Sequence, residues 1–136
     1  MSLRPILAVV AVFLTWSILD FVAHGMLLEP MYQATADLWR PMEEMNMALM
    51  YAVSIATAAC FVMIYTCLVT RKSLAAGLKL GALFGLASGI SMGLGFYGFM
   101  PIPLSLAWGW FLGILINYVL AGALVGAIVK SREETS

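Results

Sequence analysis

The chain is 136 residues long, 63% hydrophobic and 10% charged, with seven basic residues, seven acidic residues and a single histidine. A mean hydropathy of +1.00 excludes an ordinary soluble domain, and a net charge of zero gives no sign of a nucleic-acid partner. A bilayer core about 30 Å thick asks for about 20 apolar residues per helix. Four such runs predict helices over 5–28, 41–70, 74–100 and 107–129, so residues 1–136 read as one membrane domain. The expected fold is all-α: an integral membrane four-helix bundle whose first partner is the lipid bilayer.

The first run ends in SILDFVAHGMLLEP, which places Ser17, Asp20 and His24 at spacings of three and four. Those spacings put all three on one stripe of a helix. The run exceeds the roughly 7–15 residues of a secretory signal core and is interrupted by Asp20, so it reads as a retained helix. With Leu28 at the outer edge, a rise of about 1.5 Å per residue sets His24 about 6 Å and Asp20 about 12 Å inward. The mixed aromatic and polar segment 31–40 then reads as chain lying at the headgroup level.

Pro41 has the character of a first helical position, and Glu43 and Glu44 follow where a helix dipole favours negative charge. The second helix is therefore expected to begin there and to end before Arg71 and Lys72. Cys60 and Cys67 lie seven residues apart in it, about 10 Å along the axis. A disulfide needs Cα atoms within about 7 Å, so the two are expected as buried, unbridged thiols.

The third run carries Gly77, Gly81, Gly85, Gly89 and Gly93 at unbroken four-residue intervals. In lipid, helices associate through close approach across small residues, and five in a row make a smooth packing face. A phosphate-cradling glycine loop would need a preceding strand, and no strand pattern is present. Pro101 and Pro103 end the helix, and the aromatic residues from Phe96 to Trp110 form an interfacial belt. The fourth run adds Gly109 and Gly113, continues the row with Asn117, and carries Gly122 and Gly126 nearer its far end. Asn117 lies about 15 Å inward from Ala107, within reach of Asp20.

Charge sets the expected orientation. Arg4, Arg71, Lys72, Lys79, Lys130 and Arg132 fall on the side of the termini, and only Arg40 falls on the other. Basic residues mark the cytoplasmic side, so both termini are expected in the cytoplasm of a bacterial cell, with the protein multi-pass in the inner membrane.

A carboxylate at the depth of Asp20 costs several kcal/mol unless paired, hydrated or protonated. One reading makes Ser17, Asp20 and His24 a structural network, with Asp20 and His24 paired one turn apart and Asn117 or Tyr51 completing it. Another makes Asp20 and His24 a proton or ion pathway in a small homo-oligomeric transporter. A third places Cu(I), the one cofactor considered, at His24 with the thioethers of Met42 and Met45, since soft sulfur suits that ion. Methionine also packs adaptably in apolar interfaces, so the sulfur-rich outer face has a plain alternative. No nucleophile with a base and orienting acid is evident, and no two-histidine zinc motif occurs.

The segments HGMLLEPMY, LWRP and PIPLSLAWGW, with the four-run layout, resemble small four-helix bacterial membrane proteins of unassigned function. The resemblance implies bacterial origin and assigns no residue a role. The leading expectation is an accessory or structural subunit of a larger membrane assembly, joined to other membrane subunits or to copies of itself through the glycine faces.

Overall fold

A computed structural model describes residues 3–130; Arg132, part of the charge asymmetry, lies outside the described residues. Among these residues there is no strand, and four helices are long and apolar enough to cross a membrane. Helix α1 spans Leu3–Val22 and runs on through a wide π turn, Ala23–Leu27. A short helix α2, Glu29–Ala34, follows, then two 3-10 turns, Ala36–Leu38 and Met42–Glu44. Helix α3 spans Met47–Leu68. Helix α4, Leu74–Gly89, continues through a second π turn, Ile90–Leu94, into the single turn α5, Gly95–Tyr97. Helix α6, Leu104–Ile128, is the longest at 25 residues.

Local chemistry explains the boundaries. The second long helix does not begin at Pro41. That residue is extended, with ψ at 148°, and caps only the turn Met42–Glu44. Asn46 is the true N-cap of α3, its side-chain oxygen accepting from the Leu49 amide at 3.0 Å, the role for which asparagine is favoured. Ser73 does the same for α4, accepting from the Ala76 amide at 3.1 Å. Helix α6 starts three residues earlier than expected because Pro103, with ψ at 143°, stands outside the helix and feeds Leu104 directly into its first turn. Pro30 sits at the start of α2, where its missing N–H is harmless.

Helix α6 is the hub, packed on α4 along most of its length and on α1, which in turn packs on α3. Ala8, Val12 and Trp16 form the buried stripe of α1 and meet Ala58, Phe61, Val62 and Tyr65 of α3 and Ala121, Val125 and Val129 of α6. This core fills the half of the molecule near the chain termini. Tyr65 closes that end by donating its hydroxyl to the Ser73 carbonyl at 3.0 Å across the α3–α4 turn. At the opposite, capped end a second cluster gathers Leu28, Ile102, Leu106 and Ala107 under Tyr32, Trp39, Phe96 and Trp110.

The glycine row of α4 faces α6 of the same chain. A methyl group on Gly77 would strike the Gly122 carbonyl, and one on Gly81 the Tyr118 carbonyl. On Gly85 it would lie 3.0 Å from the Leu115 Cα, on Gly89 2.9 Å from the Phe111 ring, and on Gly93 2.8 Å from the Ala107 carbonyl oxygen. Gly122 and Gly126 answer from α6, meeting Gly77 and the Ser73–Leu74 backbone. Gly109 and Gly113, the other glycines singled out for helix packing, lie off this face: Gly109 packs on the Leu28 side chain, and a methyl group on Gly113 would meet nothing within 4 Å.

Outside these contacts the long helices present bare apolar surface. Leu3, Leu7, Leu14, Ile18 and Phe21 of α1 are all more than half exposed, a pattern tolerable in lipid and prone to association in water. Cys60 and Cys67 are exposed free thiols on α3, not buried ones. The heptad spacing that aligned them turned them outward, while Phe61 and Tyr65 took the core face.

Candidate functional site

Where α1 leaves the apolar core, one turn beyond Trp16, Asp20 meets α6. The Asn117 Nδ2 donates to Asp20 Oδ1 at 2.7 Å. One turn nearer the termini, the Trp16 indole N–H donates to the Asn117 backbone carbonyl at 2.8 Å. Asn117 therefore holds α1 twice, through its side chain and through its main chain. Below this pair lies a layer of aromatic rings. The Tyr118 ring packs edge-on against Trp16 at 5.2 Å and Phe61 at 5.4 Å, and Phe84 completes the layer from α4.

Asp20 and His24 are not hydrogen-bonded to one another. The π turn over Ala23–Leu27, closed by the Leu28 amide on the Ala23 carbonyl at 2.8 Å, departs from regular α geometry just where His24 sits. His24 Nδ1 lies 2.6 Å from the Tyr32 hydroxyl, which also accepts from the Trp110 indole N–H at 2.6 Å. With His24 neutral and protonated at Nε2, Tyr32 donates to Nδ1 and a directed chain runs Trp110 to Tyr32 to His24. Burial pushes the Tyr32 hydroxyl above the ordinary phenol value of 10.0; the Trp110 donor draws it partly back, and the Asp20 charge adds to the rise. Tyr32 thus remains a donor throughout the neutral range. Its ring is braced edge-on by Trp39 at 5.3 Å, and Trp39 donates to Thr35 Oγ1 at 2.9 Å.

The other expected members stand apart. Ser17 turns its hydroxyl back onto its own helix, donating to the Phe13 carbonyl at 2.9 Å, the usual way a helical serine satisfies itself in an apolar setting. Tyr51 does not complete the network: its ring packs edge-on against Phe13, two turns from Asp20, and is half exposed. Met42 is 74% exposed in its 3-10 turn, and Met45 follows in extended chain. Among the described residues no group of three His, Cys, Asp or Glu side chains could hold a metal ion.

Asp20 and Asn117 form the polar part of a cleft of about 330 Å³ between α1 and α6, walled by apolar residues including Leu19, Leu28, Leu112 and Ile116 and containing Gly113. Trp16, Tyr32 and Trp110 carry the hydrogen bonds that sequence reasoning missed. A backbone acceptor on another helix leaves no trace in sequence, and Tyr32, which meets His24, lies in the separate short helix α2.

No family model, curated protein or solved structure matches this chain.

Proposed function

We propose that this chain is an accessory or structural subunit of a larger assembly in the bacterial inner membrane: a four-helix bundle with both termini cytoplasmic. The reading rests chiefly on α3. That helix is buried only in its terminal half, at Ala58, Phe61, Val62 and Tyr65, while Met47, Leu49, Met50, Tyr51, Val53 and Ile55 in its capped half are exposed. The flank left open offers flexible methionines and a tyrosine, side chains suited to packing against another protein. The glycine row does not serve this purpose, because α6 already occupies it; the unpartnered flank of α3 takes its place.

A proton or ion pathway through Asp20 and His24 is the alternative. Its polar groups lie in the capped half only, and the layer of Trp16, Tyr118, Phe61 and Phe84 stands between them and the termini. In a homo-oligomer such a pathway runs between copies of the chain, and Asp20→Asn should then abolish a measurable flux while leaving the protein abundant. Cu(I) handling rests on His24, Met42 and Met45, and elemental analysis of protein purified without chelator tests it. For the leading reading the decisive experiment is mild extraction followed by identification of copurifying polypeptides. A stoichiometric membrane partner is expected, and its loss on Met50→Lys would place it on α3. Isolation of the chain alone, or only with itself, defeats the proposal.

A further inference from the structure

The α1/α6 cleft has a chemistry that neither the helix contacts nor the assembly role requires. Asp20 is the one acidic side chain lining it, and no basic side chain lines it. Asn117 satisfies Oδ1 alone. Among the described residues no buried side-chain oxygen is left without a partner, so Oδ2, which has no hydrogen bond, is not sealed inside the protein. A carboxylate at that depth is stabilised by a positive charge brought to it, and the walls around it are hydrocarbon. The matching ligand has a cationic head with hydrogen to donate and an apolar tail.

Size and depth narrow the class. A cleft of about 330 Å³ gives room for one alkyl chain beside a small head. With Leu28 taken at the outer edge of the bilayer, Asp20 lies about two helical turns deeper along α1 and its π turn, below the level at which a bilayer phospholipid keeps its headgroup. Gly113 gives the tail room, since a methyl group there would touch nothing within 4 Å.

We propose that the cleft between α1 and α6 binds a single-chain amphiphilic ammonium, the head paired with Asp20 Oδ2 and the tail lying over Gly113 between Leu28, Leu112 and Ile116. The site is independent of the assembly role and stands or falls by itself.

The test uses the full chain in phosphatidylcholine nanodiscs with tritiated decylammonium. Saturable binding of about one ligand per chain is expected above empty discs, displaced by unlabelled decylammonium and not by decanol of equal chain length. Asp20→Asn, which keeps an oxygen for Asn117, and Gly113→Leu, which fills the cleft without touching the α4 contact, should each weaken binding roughly tenfold or more. Leu83→Ala, on the exposed face of α4, should leave it unchanged. Enriching the discs in phosphatidylethanolamine should not compete; competition would make a lipid headgroup the occupant and overturn the proposal. No saturable component in the wild type, equal displacement by decanol, or wild-type affinity in either cleft variant would also overturn it. Should Asp20→Asn fail to fold, Gly113→Leu decides.

Discussion

Helix α6 makes two contacts of opposite kinds, and the contrast shows what each half of the molecule is built to do. Against α4, near the termini, it meets backbone with backbone, since Gly77, Gly81, Gly122 and Gly126 bring the two main chains together; further along, the Leu115 and Phe111 side chains lie against Gly85 and Gly89. Against α1, in the capped half, it meets through side chains that leave a cleft, and the contact is held by two hydrogen bonds from Trp16 to Asn117 and from Asn117 to Asp20. The first interface is close packed and has no room to move. The second fixes position with few contacts and keeps space beside them, which is how a binding cleft differs from a seam.

Substitutions should separate the two interfaces. The largest effect is expected from Gly81→Leu, whose side chain would overlap the Tyr118 carbonyl; overpacking of a rigid contact should cost about 3 kcal/mol or more, read as loss of the folded species in thermal denaturation in detergent. A wild-type melting curve for this variant would mean that the α4–α6 seam is not close packed. Next, Asn117→Ala withdraws the donor from Asp20 while leaving the main-chain carbonyl to Trp16, and about 1–2 kcal/mol should be lost in the same assay. Trp16→Phe removes the other tether and should cost about 1 kcal/mol, so equal losses greater than that in both would show the two bonds acting as one unit.

A spectroscopic test sharpens the contrast at the capped end. Tyr32 should ionise above pH 10.0 in a phenolate absorbance titration, because burial raises it. Trp110→Phe removes the one influence drawing it down and should push it higher still. The sign for stability follows from that direction. A folded-state value raised above the unfolded one gives a contribution fully present below about pH 10 and lost as pH climbs through the folded value. The smallest effect belongs to Gly113→Ala, which should leave stability within about 0.5 kcal/mol of wild type, because the added methyl group enters open space.

What could be read from the chain beforehand follows the range of each interaction. The four-residue glycine period of α4 is a property of one helix, visible without knowing what lies opposite. Gly109 and Gly113 lie on another side of α6 from Ala107 and Phe111, which meet Gly93 and Gly89; Gly109 packs on Leu28 instead. Helix rise alone placed Asp20 and Asn117 at compatible depths, and their side chains lie 2.7 Å apart. The pairing of Asp20 with His24 assumed an uninterrupted α-helix, and the π turn at Ala23–Leu27 broke that assumption. Pro41 misled for a similar reason: proline suits a helix start, but Asn46 caps better and lies closer to the apolar run. The four spans themselves were legible because hydrocarbon demands a minimum length of apolar helix whatever the tertiary contacts.

The bond between Asp20 and Asn117 joins residues 97 positions apart in the chain. At a translation rate of about 5–20 residues per second, the first helix is made about 5–20 seconds before its partner. Throughout that interval the acid has neither Asn117 nor the wall of α6, so the insertion machinery, water or a proton must shelter it. Nascent chains halted before residue 117 should accordingly hold α1 loosely, sliding back toward the aqueous side under load, and the pull of the finished protein should tighten only when the last helix arrives.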